Sequence, residues 1–175
     1  MSDEIQHETS LLMPQTPQPA PQADERMDLL SQQLLEELLE RMGYSLTVEL
    51  TVEQERILLN ISGDEAEALI GNKGQTLDAL QFLLGRMLNR VLPREHTPVV
   101  VDSGGYRERR SEALCELALR LGDKAVRTGK IVAVNPMSAH DRRIIHMALR
   151  EIPGVTTRSE GDGFERRLLI VPEPA

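Results

Sequence analysis

Hydrophobic residues recur every three or four positions in four separate stretches of the chain, which is the spacing of one face of an α-helix. The first stretch stops at Gly43, a residue type that often ends helices, and Pro93 follows the second. Pro136 stands at the start of the fourth, where its missing N–H is tolerated, and Pro153 follows its end. The pattern predicts long helices at residues 29–42, 77–91, 106–127 and 135–150.

Shorter apolar or alternating stretches between these helices predict β-strands. The first two flank the polar residues 53–55 and form a predicted hairpin, and the last two flank a glycine-containing turn at residues 160–163. Asp64 followed by Glu67 resembles a capping box, which predicts a short helix at residues 65–70. The predicted strands are residues 44–50, 56–61, 97–101, 131–134, 155–159 and 165–171.

The order of these elements divides the chain into a tail and two small domains. Four prolines interleaved with glutamine between positions 13 and 23 prevent a helix or a central strand, so residues 1–28 are expected to form a disordered acidic tail. Residues 29–103 have the order α-β-β-α-α-β. After a break at Gly104-Gly105, residues 104–175 supply a three-stranded sheet with two helices. The predicted fold class is therefore α+β.

Composition limits the classes of function. Aromatic residues make up 2% of the chain, which disfavours a platform of stacked aromatics of the RRM kind. Cys115 is the single cysteine, so an intrachain disulfide and a thiolate metal cage are excluded. The N-terminus is acidic, and no apolar run is long enough to span a bilayer. We expect a soluble cytoplasmic protein with no metal, no cofactor and no stable membrane insertion.

Charge is distributed unevenly along the chain. The formal net charge is −8, which opposes nucleic-acid binding if it is taken as one number. Residues 1–33 carry one basic and six acidic side chains, and residues 34–102 carry six and twelve. Residues 104–150 carry ten basic and five acidic side chains. Any positive field that attracts phosphates is therefore expected in the C-terminal half.

Two glycines flank two polar residues in the loop Gly71-Asn72-Lys73-Gly74, between the short helix and the second long helix. Without Cβ atoms the backbone can approach a phosphodiester closely, and Lys73 adds a cation. The helix that starts near Gln75 turns its free N–H groups to the same place. In the alternative interpretation, Gly71 is a helix cap and Gly74 a turn residue. Bases would lie in an apolar groove, whose predicted walls are Ile61, Leu69, Ile70 and Leu77.

A second candidate site lies on the fourth helix. Arg142 and His146 are four residues apart, so they project from one face one turn apart. Arg150 extends this row by another turn, and Arg143 lies beside it. Such a row can meet a phosphate backbone, and His146 can donate a hydrogen bond or stack on a base. In the alternative interpretation, the row is a solvated helix face whose charges pair locally.

Two longer runs resemble one known family. Residues 70–81, IGNKGQTLDALQ, resemble the KH signature of the Jag family, and α-β-β-α-α-β is the arrangement of a type II KH domain. Residues 135–146, NPMSAHDRRIIH, resemble the R-three-H motif (Arg-x-x-x-His) of the same family, also called KhpB, EloR or SpoIIIJ-associated. The resemblance covers roughly residues 33–172. A Pro/Gln-rich tail stands in place of the Jag-N domain that the family often carries, and His140 replaces a usual aromatic residue.

The resemblance implies a KH domain at residues 29–103 and an R-three-H domain at residues 104–175, both binding single-stranded nucleic acid. It also implies association with a small KH-domain partner protein or a second copy, and a regulatory role in cell elongation or division. The implied binding residues are Gly71, Asn72, Lys73, Gly74 and Gln75 in the first domain, and Arg142, Arg143, His146 and Arg150 in the second.

The motifs, taken together with this resemblance, favour a single-stranded RNA-binding protein over an enzyme. His140 and His146 are six apart, which places them about 120° from sharing a helix face. No nucleophile motif or metal-ligand spacing supports catalysis. Two alternatives stay open: a protein-interaction scaffold that binds nucleic acid weakly, and a protein whose ligand is single-stranded DNA.

Overall fold

The computed structural model describes residues 23–53, 56–91 and 97–173, with only the backbone for residues 23–26 and Phe164. The predicted α+β class is confirmed, because these residues form four α-helices and two three-stranded sheets. The helices are α1 (Ala23–Arg41), α2 (Gln75–Val91), α3 (Tyr106–Thr128) and α4 (Ala139–Leu149). The strands are β1 (Thr47–Glu53), β2 (Arg56–Ser62), β3 (Val99–Ser103), β4 (Val132–Ala133), β5 (Val155–Glu160) and β6 (Arg167–Pro172).

The first sheet has the strand order β1-β2-β3. β1 and β2 are antiparallel, whereas β2 and β3 are parallel, with Ile57 opposite Val99. A parallel pair needs a crossover between its strands, and α2 lies in that crossover. One hydrophobic core joins α1, α2 and this sheet, and its fully buried side chains include Leu35, Leu39, Ile57, Leu59, Leu77 and Leu84.

The second sheet has the order β4-β6-β5 and is antiparallel throughout. α3 and α4 pack together and contribute to a second core with this sheet. Gly122 allows the two helices to approach closely, because a Cβ there would lie 2.7 Å from Leu149 Cδ2. The buried side chains of this core include Leu114, Ala118, Ile145, Leu149, Leu168 and Ile170.

α1 begins six residues before the predicted start, so residues 23–28 are helical and the prediction of a disordered tail is wrong for them. The buried stripe runs through Met27, Ser31, Leu35 and Leu39, each four residues from the next. The buried Ser31 hydroxyl is satisfied because it donates to the Asp28 carbonyl at 2.7 Å. Because Ser31 is polar, the sequence pattern did not show that the buried stripe continues to Met27. The remainder of the predicted tail, residues 1–22, lies outside the described residues.

β1 starts at Thr47 and not at Tyr44. Gly43 and Tyr44 instead form the C-terminal cap of α1. The Tyr44 N–H donates to the Leu39 carbonyl at 3.0 Å, and the Gly43 N–H donates to the Glu40 carbonyl at 2.9 Å. With Gly43 at a φ of +88°, these two bonds form a Schellman motif. Gly43 therefore ends the helix as predicted, and Tyr44 belongs to the cap.

Two helix starts were also predicted wrongly. The predicted helix at 65–70 is a 3₁₀ turn (Ala66–Leu69) without a side-chain cap, so Asp64 and Glu67 form no capping box. α4 starts at Ala139 and not at Asn135, because the Met137 N–H still bonds the Arg166 carbonyl at 3.3 Å. The Ser138 hydroxyl then caps α4 by accepting from the Asp141 N–H at 3.1 Å.

Candidate nucleic-acid interface

The loop from Gly71 to Gly74 leads directly into α2. Asn72–Gly74 form a 3₁₀ turn, and α2 begins at Gln75. Lys73 adopts a left-handed conformation with φ +55° and ψ +35°, which is unusual for a residue with a side chain. Asn72, Lys73 and Gln75 are exposed. The tip of the loop and the first residue of α2 are thus accessible to a ligand.

The two glycines of this loop are required by packing within the chain. A Cβ on Gly71 would lie 2.1 Å from Thr76 Oγ1. A Cβ on Gly74 would lie 2.9 Å from Cε1 of Tyr106, whose ring covers this buried glycine. The alternative interpretation of cap and turn therefore accounts for both glycines. A phosphodiester could therefore approach the backbone closely only at the exposed loop tip, Asn72 and Lys73.

The predicted groove does not have the predicted walls. Ile61, Leu69 and Leu77 are each at most 1% exposed and belong to the core under the first sheet. Ile70 alone among the four predicted wall residues is half-buried and reaches the surface. The apolar periodicity identified these residues as buried, and it could not show whether a ligand or the sheet covers them.

On α4, Arg142 and His146 each bond a hydroxyl of β5. Arg142 Nη1 donates to Ser159 Oγ at 2.8 Å, and His146 Nδ1 lies 2.5 Å from Thr157 Oγ1. Four helical residues rise about 6 Å, and two strand residues span about 6.8 Å, so the two spacings match. The Arg-x-x-x-His spacing therefore has a structural role, because it allows both side chains of α4 to bond β5.

These bonds leave Arg142 and His146 without an acidic partner among the described residues. The partners of Arg142 and His146 are neutral hydroxyls, and Arg142 Nε is buried without a hydrogen-bond partner. Arg143 is exposed and makes no hydrogen bond or ion pair within the described part of the chain. Arg150 lies 3.9 Å from the exposed Glu151, and such a pair is weak. The row can therefore still attract a phosphate.

Two other arginines of residues 104–150 form ion pairs within the protein. Arg107 Nη1 lies 2.9 Å from Asp78 Oδ1 of α2. Arg110 Nη2 lies 2.8 Å from Asp141 Oδ2, and the Asp141 side chain is 6% exposed. The excess of ten basic over five acidic side chains in residues 104–150 therefore overstates the cations available to a ligand.

Sequence reasoning missed three residues at these sites: Tyr106, Thr157 and Ser159. The two hydroxyl residues occupy alternate positions of one strand, so they were identifiable as sharing a face. Tyr106 follows a glycine pair and is one of four aromatic residues in the chain, but nothing in the sequence connects it with Gly74.

The described residues contain no group of three His, Cys, Asp or Glu side chains placed to hold a metal ion. No helix within residues 23–53, 56–91 and 97–173 combines the length and hydropathy needed to cross a bilayer.

Comparison with known proteins finds one domain family that matches the C-terminal part of the chain and several similar proteins. The model of the R-three-H domain matches residues 112–172, which include Arg142, Arg143, His146 and Arg150. An RNA-binding protein KhpB of Clostridium symbiosum is 38% identical over 129 residues, covering 74% of this chain and 58% of that protein. The KhpB of Bacillus subtilis strain 168 is 37% identical over 126 residues (70% and 60%). The KhpB of Streptococcus pneumoniae D39 is 30% identical over 136 residues (78% and 41%).

Proposed function

We propose that the chain belongs to the Jag family, which includes the KhpB proteins, and that it binds single-stranded RNA through the loop tip before α2 and the basic row of α4. The family is one of nucleic-acid-binding proteins and not of enzymes. The chain spans 58% and 60% of the length of the first two relatives. RNA as the ligand of this chain is therefore our proposal.

We propose further that residues 29–103 are a type II KH domain and that residues 104–175 are the R-three-H domain. The first assignment is supported by the order α1-β1-β2, two 3₁₀ turns, α2 and β3, and by the parallel pairing of β2 with β3. In a KH domain the G-x-x-G loop clamps four nucleotides by their backbone. Here that loop exposes Asn72 and Lys73.

The observation that carries the proposal is the surface of α4. Arg142, Arg143 and His146 lie within the matched region, and the described residues place no carboxylate in contact with any of the three. A cation without an acidic partner attracts phosphate more strongly than one that is already paired, because no ion pair must be broken. Phosphate contacts supply most of the affinity of non-specific single-strand binding.

A matched pair of charge reversals tests the loop. Lys73→Asp and Lys130→Asp change the net charge equally, and both lysines are exposed. Asp tolerates the left-handed backbone of position 73, so the loop should keep its shape. We expect Lys73→Asp to weaken binding of short single-stranded RNA at least tenfold, more so with Asn72→Asp, and Lys130→Asp to have little effect. Equal effects of the two reversals would refute a specific loop contact.

The basic row is tested best at Arg143, because its removal leaves the bonds between α4 and β5 intact. Arg143→Ala should weaken RNA binding and reduce the slope of log K against log salt concentration by about 0.7, which is the value for one phosphate of a single strand. An unchanged slope would show that α4 does not meet the backbone. Competition between RNA and DNA of one sequence decides the sugar preference.

A protein partner is a second proposal, supported by the outer face of α2. Phe82 is 68% exposed and Leu83 47% exposed, and a Cβ on Gly85 of the same helix would meet no atom within 4 Å. A small KH-domain protein or a second copy would cover this face. Phe82→Glu should abolish such association in sedimentation experiments. Cytoplasmic location and a role in cell elongation or division stay predictions from the family resemblance.

A further inference from the structure

The first two turns of α3 contact the loop from Gly71 to Gly74 and also α4, the two elements of the proposed binding site. Tyr106 covers Gly74, the last residue of the loop, with the ring 2.9 Å from the place that a Cβ would take there. One turn further along, Arg110 pairs with Asp141 in the first turn of α4, immediately before Arg142. Residues four apart share a helix face and are separated by about 6 Å along the axis. The loop and α4 therefore contact the same side of α3, one turn apart.

This junction is fixed by a set of directional bonds. The Arg107 guanidinium donates to Asp78 at 2.9 Å, to Gln81 at 3.2 Å and to the Val101 carbonyl at 2.8 Å. The Arg107 N–H also donates to Asp102 Oδ1 at 3.2 Å. These contacts tie the start of α3 to α2 and β3. The spacing between the loop and α4 is therefore set before any ligand binds, which lowers the entropic cost of contacting both.

Tyr106 occupies the position between the two elements. Tyr106 is half-buried, so part of the residue reaches solvent. The nearby charges compensate each other, because Asp78 pairs with Arg107 and Asp141 pairs with Arg110. Burial raises the pKa of the phenol above 10.0, so the hydroxyl stays protonated and can donate to a phosphate or ribose oxygen. An uncharged aromatic side chain that reaches solvent is suited to stacking on a nucleobase.

We propose that a single RNA strand runs from the loop tip across the ring of Tyr106 to α4, so that the two domains form one continuous site in which Tyr106 stacks on a base. This inference rests on the proposed RNA-binding function and specifies how the two domains share one ligand. Stacking of a base on an aromatic side chain tolerates any sequence, because every base has a flat face. Tyr106 would thus add affinity without base preference.

The test uses the full chain and RNAs of two lengths, about four nucleotides and about twelve, the shorter being the stretch that a KH loop clamps. Tyr106→Leu keeps an apolar cover over Gly74 and removes the ring, whereas Tyr106→Phe keeps the ring. We expect Tyr106→Leu to weaken binding of the longer RNA roughly 5- to 150-fold, the range of one aromatic stack, and Tyr106→Phe to change it little. Equal losses in the two variants would overturn stacking.

A second measurement leaves the protein unchanged and so is independent of any effect of Tyr106→Leu on folding. Abasic nucleotides in the middle of the longer RNA should lower its affinity for the wild-type chain by a similar factor, and abasic nucleotides at its ends should not. No loss at the middle would overturn the continuous site. If Lys73→Asp and Arg143→Ala weaken binding but the abasic positions have no effect, this inference fails alone. If wild-type chain binds neither RNA, the proposed function fails with it.

Discussion

Replacement of Gly74 by alanine tests the packing on which the junction of loop and α3 depends. The φ of +85° costs an L-residue about 1–2 kcal/mol. The added Cβ would lie 2.9 Å from Tyr106 Cε1 and 3.6 Å from both Cζ and the hydroxyl oxygen, so the ring must move. Overpacking of this kind costs about 1–3 kcal/mol. We expect Gly74→Ala to lower the free energy of unfolding by about 2–5 kcal/mol, the sum of the two costs.

Gly129→Ala is the matched control. Gly129 also has a positive φ, +63°, but a Cβ there would meet no atom within 4 Å, so only backbone strain is added. Urea unfolding of both variants, read by circular dichroism, separates strain from the displacement of Tyr106. In a Tyr106→Ala background the clashing ring is absent. The stability cost of Gly74→Ala should then fall toward that of Gly129→Ala. If Gly74→Ala costs no more than Gly129→Ala, the ring does not press on Gly74 and our description of the junction is wrong.

Three further outcomes follow from contacts in the C-terminal half. Asp141→Ala leaves Arg110 without its buried partner and should lower the free energy of unfolding by about 3 kcal/mol; a loss below about 1 kcal/mol would contradict the pair's role. Thr157→Val with Ser159→Ala should cost about 1–3 kcal/mol and speed amide hydrogen exchange in α4, and unchanged exchange would refute the fastening of α4 by β5. In a Tyr44→Phe background, phenolate absorbance should show Tyr106 ionising above its ordinary pKa of 10.0. Because folding holds this proton, the associated stability is present below pH 10 and is lost as pH rises further, and ionisation at or below pH 10 would contradict it.

Much of the fold could be predicted from local spacing. Helix periodicity located the four α-helices of the described residues, because side chains three and four apart share a face of a helix. Errors occurred at helix ends, where single hydrogen bonds decide the boundary. The polar Ser31 lies within the buried stripe of α1 because its hydroxyl bonds a backbone carbonyl, and Met137 lies outside α4 because its N–H bonds the Arg166 carbonyl of a distant segment.

The candidate sites were less predictable, because their character depends on contacts between distant residues. Gly74 and Tyr106 are 32 positions apart, and no pattern in the sequence shows that the ring covers the glycine. Arg110 and Asp141 are 31 apart, so the sequence counted this arginine among the cations for a ligand although it is neutralised inside the protein. The Arg142 bond to Ser159 likewise depends on how β5 returns along α4.

The most direct measurement is ultraviolet crosslinking of the full chain to single-stranded RNA that contains 4-thiouridine, followed by mass spectrometry of the crosslinked peptides. We expect crosslinks at Asn72 or Lys73, at Tyr106, and at Arg143 or His146, in one complex with one RNA molecule. Crosslinks confined to α1, which exposes Glu37 and Glu40, or an absence of crosslinks where a known RNA-binding protein gives them, would contradict the account.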